Sequence, residues 1–383
     1  MPKRICFIAT TAFTVRVFLY QHILALSKAF EVTVITTQDN DLEATLKDIG
    51  VSFIPINITR QISVWSDFAN LLRLISILKR NNFNSIHSVT PKAGLLSMLA
   101  GKLTNVKTRV HIFTGQVWVT KKGFFRYLLM YIDKWIGSLA THILVDSASQ
   151  LHFLRKHNVL ADNQGLILAK GSICGVDLAR FKVNAQSRLD LRSKYALESN
   201  AIVFLYLGRL NLDKGVVDLA QAFTEFYNNL KQKDSQKNCY LIFVGPDEQG
   251  LTSKIMKICA SCIHFVKFEN YTEKPENYMS MADILCIPSC REGFGNVVIE
   301  AAAAGIPSIG TRIYGLTDAI IEGHTGLLSE VHDIGQLKTN IQSLYFNDEL
   351  RLRLGSNAYI RATEQFDRKL VTKAWLEFYD KNV

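Results

Sequence analysis

The 383-residue sequence predicts an α/β protein made of two successive parallel-sheet domains. Short apolar runs alternate with helical patterns over residues 4–180, and the same alternation restarts near residue 201. A chain of this length holds about two domains by the usual size scaling. With 48% of residues hydrophobic and 20% charged, two ordinary cores can be built. The domains are drawn as 1–180 and 201–360, with a polar connection over 181–200 and a terminal segment over 361–383.

In the first domain the runs at 5–9, 32–35, 53–55, 85–88, 108–113, 142–145 and 166–168 read as strands, being short and rich in Val, Ile and Phe. Between them, apolar residues recur at helical spacing over 15–29, 41–49, 67–79, 92–103, 124–139 and 147–156. The second domain offers strands at 202–207, 239–244, 264–268, 284–287 and 308–309. After Leu328 the pattern is helical, at 334–344, 348–365 and 368–380. No run approaches the roughly 18 uninterrupted apolar residues of a membrane span. The N-terminal run ends in Thr10 and Thr11 with no cleavage pattern and reads as a first strand, not a leader.

The segment Pro288-Ser-Cys-Arg-Glu-Gly-Phe-Gly-Asn-Val-Val-Ile-Glu300 carries the chemistry. It is a strand, a turn with glycines at 293 and 295, and a helix opening near Asn296. An opening helix presents unpaired N–H groups and a partial positive charge, a place for an anion such as a diphosphate. Glu292 and Glu300 flank that place, and carboxylates there suit the hydroxyl-rich groups on either side of the diphosphate of a nucleotide-sugar, its sugar and its ribose. A second strand–turn–helix, Leu205-Tyr-Leu-Gly208-Arg209-Leu-Asn-Leu-Asp-Lys214-Gly215, supplies two cations for a phosphate, Arg209 as a planar fork and Lys214 as a point charge.

Together these motifs resemble the retaining glycosyltransferases of family 4, whose fold is the two-Rossmann-domain GT-B architecture. The match runs through Pro288, Ser289, Glu292, Gly293, Phe294, Gly295 and Glu300, and on through Gly305-Ile-Pro307, Tyr314-Gly315 and Glu322-Gly-His-Thr-Gly326-Leu327. Gly175-Val-Asp177-Leu-Ala-Arg-Phe181 resembles the segment that closes the family's first domain. The resemblance implies two halves closing over a cleft, with the donor on the second domain and the acceptor on the first. It implies a last helix returning to the first domain, with Trp375, Phe378 and Tyr379 as anchors. Arg209, Lys214 and N–H groups near Gly295, Asn296 and Val297 would hold the diphosphate. Glu292 would orient the sugar, Glu300 the ribose, and Gly293 and Phe294 complete the donor loop. No cofactor and no metal are implied.

Asp39-Asn-Asp41 matches a metal-binding string of another transferase fold, but between a strand and a helix an Asp reads as an N-cap. On the acceptor side, Lys92 in a helix first turn and Arg16 in the first strand–helix loop are the candidate phosphate contacts; a solvated cation is the alternative for each. The family's His beside the donor sugar is replaced by Thr114, with His111 three residues earlier, and Thr114 joins Arg16 and Lys92 as a candidate acceptor-binding residue. The usual glycine pair after the first strand is replaced by Thr10-Thr11-Ala-Phe-Thr-Val-Arg16.

Charge is unevenly divided. Residues 1–180 hold 21 Lys+Arg against 10 Asp+Glu, and residues 181–383 hold 23 against 24. A basic first half calls for an anionic partner. The aromatic run 124–135, flanked by Lys121, Lys122, Arg126 and Lys134, suits a bilayer interface or, alternatively, a core helix with a basic edge. Nucleic acid ranks low, since no basic and aromatic residues interleave on a reading element. Seven scattered cysteines suit a reducing compartment, and Cys259 and Cys262 lack the second pair a zinc site needs.

The expectation is a metal-independent retaining hexosyltransferase moving a hexose or N-acetylhexosamine from a nucleotide-sugar, UDP-linked by family frequency, to a polyprenyl-diphosphate-linked saccharide. It would serve surface polysaccharide synthesis (lipopolysaccharide or capsule) from the cytoplasm, peripheral at the inner face of the membrane. The nearer alternative is a GT-B enzyme on a soluble sugar or sugar-phosphate acceptor.

Overall fold

A computed structural model describes residues 2–59, 63–231 and 238–383. The described chain forms two compact units, Met1–Gly175 with Lys369–Val383, and Val176–Arg368.

The first unit is a six-stranded parallel sheet of β1 (Arg4–Ala9), β2 (Glu31–Thr36), β3 (Ser52–Pro55), β4 (Ser85–Val89), β5 (Thr108–Phe113) and β6 (His142–Val145), in the order β3-β2-β1-β4-β5-β6. Strands β1, β4 and β5 are almost wholly buried, as the middle of a sheet covered on both faces must be, while the edge strand β3 is only partly covered. The connecting helices are α1 (Tyr20–Leu26), α2 (Asn40–Asp48), α3 (Val64–Asn81), α4 (Pro91–Leu103), α5 (Gly123–Leu139) and α6 (Ala148–Lys156).

The second unit repeats the plan. Strands β7 (Ile202–Leu207), β8 (Cys239–Val244), β9 (Val266–Glu269), β10 (Ile284–Ile287), β11 (Ser308–Thr311) and β12 (Gly326–Ser329) lie parallel in the order β12-β11-β10-β7-β8-β9. Its helices are α7 (Ala185–Lys194), α8 (Val216–Lys231), α9 (Thr252–Ile258), α10 (Pro275–Met281), α11 (Asn296–Ala303), α12 (Ile334–Phe346) and α13 (Asp348–Gln365). In both sheets the strand order reverses beside the first strand, between β1 and β4 and between β7 and β10. Ligands of open α/β sheets bind beyond the strand ends at such a reversal.

The last helix, α14 (Arg368–Asn382), packs on the first sheet. Trp375 is fully buried between the rings of His22 and His87, at 4.6 and 4.9 Å. The Tyr379 hydroxyl meets His87 Nδ1 at 2.7 Å.

Several elements differ from the sequence expectation. Residues 166–168 are not a strand: one bridge, Leu144 to Leu166, is all that forms, because Gly165 and Ala169 on either side turn into positive φ. Residues 326–329 form β12, a strand whose apolar run is too short to read. The first helix begins at Ala12, three residues early, capped by Thr11, and passes through a π-helical turn at Val15–Leu19 before α1. The polar stretch 181–200 is not a bare connection. It contains α7, whose Arg188 and Arg192 each reach Asp283 at 2.8 Å and donate to carbonyls at the end of α10. Its polarity belongs to that cluster, which joins the segment to the second unit.

Candidate functional site

At the β7/β10 reversal two loops are laced together. The Cys290 N–H donates to the Asp213 carbonyl at 2.8 Å, and Arg291 reaches the Asp213 carboxylate at 3.3 Å. Gly215 makes the approach possible: its φ is +68°, and a Cβ there would lie 2.0 Å from the Pro288 carbonyl oxygen. The Lys214 ammonium forms an ion pair with Glu292, and Ser289 Oγ donates to the same carboxylate oxygen at 2.8 Å. Lys214 and Glu292 side chains are only 17% and 14% exposed, so each charge depends on the other.

Arg209 follows β7 and is more open. Its guanidinium contacts both oxygens of Glu248, at 3.1 and 2.8 Å, and the Tyr206 hydroxyl donates to its carbonyl. The two cations read as a phosphate clamp are thus held by carboxylates. Glu248 was missed by sequence reasoning; its only signal is its place in the turn after β8.

Gly295, at φ +88°, precedes the first residue of α11, and Asn296 and Val297, both half-buried, open that helix. The ring of Phe294 departs from expectation. It is 2% exposed and packs against Phe366 at 5.0 Å, so it anchors the loop in the core and can offer a ligand only backbone. Gly293 is buried beside it. Glu300 is half-buried one turn into α11, and among the described residues its carboxylate has no hydrogen-bond partner. Burial pushes it up to about 7, opposed by the charges of Arg180 and Arg368.

In the first unit the candidate acceptor residues are engaged differently from expectation. Arg16 is ion-paired with Asp39, and reaches Asp41 at 3.8 Å. The Asp39 carboxylate also caps α2 through the Leu42 N–H at 3.0 Å, and that bond, more than Arg16, holds it below the usual carboxylate range. Lys92, in the first turn of α4, pairs with Asp67 of α3 at 2.6 Å. Thr114 contributes its carbonyl, which accepts from Gln116 and Gln150, both at 2.7 Å. His111 is buried against Ser88 Oγ at 2.8 Å, and burial lowers it to about 3, so it is a neutral core histidine. Thr90, just before α4, holds φ +81°, costly for a β-branched residue, and its hydroxyl lies 3.2 Å from that of Thr10 at the β1/β4 reversal.

The helix α5 buries Asp133, Ile136 and Gly137 and leaves its aromatic run outward, with Phe124 75% exposed. Cys259 and Cys262 are buried thiols against Thr224. Among the described residues no helix is long and apolar enough to cross a membrane.

Comparison with known proteins accords with this architecture. Residues 15–164 match the model described as Glycosyltransferase Family 4, and residues 187–361 match that for Glycosyl transferases group 1. The two matches span most of the chain, which belongs to the family 4 glycosyltransferases of GT-B fold. The capsular polysaccharide biosynthesis glycosyltransferase CapM of Staphylococcus aureus is 26% identical over 92% of this chain and 90% of its own. The N,N'-diacetylbacillosaminyl-diphospho-undecaprenol alpha-1,3-N-acetylgalactosaminyltransferase of Campylobacter jejuni is 25% identical over 92% and 91%. Among solved structures, Anabaena Alr3699/HepE in complex with UDP-glucose superposes with a TM-score of 0.80 at 16% identity, covering 99% of both chains. The chain is therefore a glycosyltransferase of a class that includes enzymes of capsule synthesis and of lipid-linked acceptors.

Proposed function

We propose that this glycosyltransferase is a retaining enzyme that takes a hexose or N-acetylhexosamine from a UDP-sugar and adds it to a polyprenyl-diphosphate-linked saccharide. The observation that carries the donor half is the laced pair of loops at the β7/β10 reversal, where Lys214 and Glu292 neutralise one another beside the start of α11. A diphosphate arriving there offers Lys214 and Arg209 a better-matched anion, and frees Glu292 to accept from sugar hydroxyls. The unpartnered Glu300 carboxylate suits the ribose diol. UDP is favoured by the complex of the fold relative HepE and by family frequency.

In the reaction the bond between the anomeric carbon and the diphosphate oxygen breaks while the acceptor hydroxyl attacks from the same face. The departing phosphate takes the hydroxyl proton. Arg209, Lys214 and the first N–H groups of α11 stabilise the charge that grows on the leaving group. The lipid-linked acceptor is supported by the Campylobacter relative's substrate and by the basic first unit, where Lys92 and Arg16 would exchange their carboxylate partners for acceptor phosphate. The aromatic and basic face of α5 supports work at the inner face of the membrane.

A nucleotide-sugar panel read by thermal shift tests the donor, since a ligand of the folded state raises the melting temperature. UDP and one UDP-sugar should give the largest shifts. A larger shift with a GDP-sugar would replace the base assignment. Incubation of that donor with a polyprenyl-diphosphate disaccharide, and proton NMR of the new anomeric centre, tests the rest. An inverted product, or transfer only to a soluble sugar phosphate, would refute the stereochemistry or the acceptor respectively.

A further inference from the structure

The first unit exposes more aromatic surface than an isolated fold needs. On α5, Phe124, Tyr127, Tyr131 and Trp135 form an outward stripe at helical spacing, each between 49% and 75% exposed. On α3 a second stripe, which the sequence pattern did not single out, turns Trp65, Phe68 and Leu72 outward, 86%, 55% and 52% exposed. Single exposed apolar residues are ordinary, but two parallel stripes make a surface that calls for a partner.

The two helices flank α4 and both pack on it. The Lys92–Asp67 ion pair ties the first turn of α4 to the first turn of α3. In a parallel sheet each connecting helix starts beyond the C-terminal end of its preceding strand. Both stripes therefore start at the sheet edge where Lys92 sits. Charge identifies the partner. Between Asp48 and Asp146 the sequence holds twelve Lys and Arg and only two acids. Of those acids, Asp67 is paired with Lys92, and Asp133 is buried and accepts from the Trp118 indole at 2.9 Å. A second copy of this chain would bring like charge against like and is disfavoured. An anionic bilayer, with a headgroup layer that takes aromatic rings and attracts cations, matches both features.

We infer that α3 and α5 form a two-helix interfacial anchor for an anionic bilayer, with α3 a lipid-contacting element in its own right, seating the membrane beside Lys92. This rests on the lipid-linked acceptor reading and adds to it the surface that meets the lipid.

The four tryptophans make the test direct. Trp118 and Trp375 are buried, and Trp65 and Trp135 each report on one stripe. In Trp135→Phe protein, Trp65 emission should shift to the blue and gain protection from iodide on adding phosphatidylcholine–phosphatidylglycerol vesicles. Pure phosphatidylcholine vesicles should do little, and added salt should weaken the effect, since each cation near the surface is worth roughly fivefold in affinity. Trp65→Ser/Phe68→Ser should weaken vesicle binding by about tenfold while calorimetric UDP affinity stays unchanged. If Trp135 responds to vesicles and Trp65 does not, α3 is no part of the anchor. Equal binding to uncharged vesicles would remove the electrostatic argument and overturn the assignment. So would a dimer in which Trp65 resists iodide without lipid. Vesicle binding through both stripes by an enzyme that ignores lipid-linked acceptors would uphold the anchor and refute the acceptor reading alone.

Discussion

At the scale of single residues, the proposed donor site rests with its charges cancelled. Lys214 holds Glu292, and Arg209 holds Glu248. A diphosphate gains most from those cations as it departs, so Arg209→Ala and Lys214→Ala should each keep the fold and lose activity by two to three orders of magnitude, about 2.7–4 kcal/mol. Turnover close to wild type in either would remove that residue from the clamp. The glutamates should separate kinetically: Glu292→Gln should lower kcat more than donor affinity, and Glu300→Gln should weaken UDP itself, because ribose hydroxyls do not change in the transition state. The Glu300 shift gives this a pH signature. Its carboxyl is raised to about 7, and hydroxyls donate to the ionised form, so binding releases a proton. UDP affinity should therefore climb between about pH 6 and pH 8, and the part of that climb due to Glu300 should vanish in Glu300→Gln. Calorimetry of both proteins across that range checks it, and cancels any titration of UDP. Metal dependence is a further residue-level matter. Asp39 is spent on a helix cap and on Arg16, so activity should survive EDTA; loss restored by Mg²⁺ or Mn²⁺ would contradict that role.

At the scale of elements, the proposed site is built on two loops meeting, and Gly215 is where that can be broken. An alanine there would carry both the left-handed φ and a collision with the Pro288 carbonyl. Gly250 has nearly the same φ, +66°, with open space around it, and so isolates the conformational strain. Gly250→Ala should cost about 1 kcal/mol and leave UDP binding alone, while Gly215→Ala should cost up to about 3 kcal/mol and abolish it. Equal effects in chemical denaturation and UDP titration would mean that the loop contact is not needed. The same two loops explain what could be read in advance. The strand–glycine–helix strings at 205–215 and 288–300 are local patterns, so Arg209, Lys214, Glu292 and Glu300 can be nominated as candidates from position along the chain alone. What was not legible depends on contacts distant in sequence. Glu248 matters only because β8 lies beside β7. Phe294 looks like a loop aromatic until Phe366 covers it, and the arginines of α7 look like linker polarity until Asp283 receives them. The exposed stripe on α3 is not legible in the sequence because its inward Leu74 and Leu78 satisfy the ordinary amphipathic pattern.

At the scale of the whole molecule, the two units repeat one strand plan but differ in charge and in what they bury. The first unit encloses ionisable groups whose shifts oppose one another. Burial lowers His87, His111 and His142 below the ordinary 6.5, and raises Asp133 to about 7 and Asp146 to about 8. A histidine lowered by folding stabilises the fold above the unfolded pKa, and that stability is lost as pH falls below it. A carboxyl raised by folding stabilises the fold below the unfolded pKa, near 3.8, and that stability is lost as pH rises to the folded value. Between roughly pH 4 and 6.5 the two sets oppose each other. Above 6.5 the histidines are neutral in both states, and only the carboxyls act. The first unit should therefore lose stability from pH 6.5 to pH 8, mostly through Asp146, one of whose oxygens is buried without a partner. With about 1.36 kcal/mol per unit of pH for one group, that loss is at most about 2 kcal/mol. Asp146→Asn keeps the shape and removes the titration. It should raise the melting temperature at pH 8 and flatten the slope above 6.5, leaving the UDP binding proposed for the second unit untouched. Melting curves of both proteins at pH 6.5 and pH 8 decide the matter: parallel behaviour would mean that Asp146 reaches solvent or finds a partner as it ionises, and that the pH sensitivity lies elsewhere.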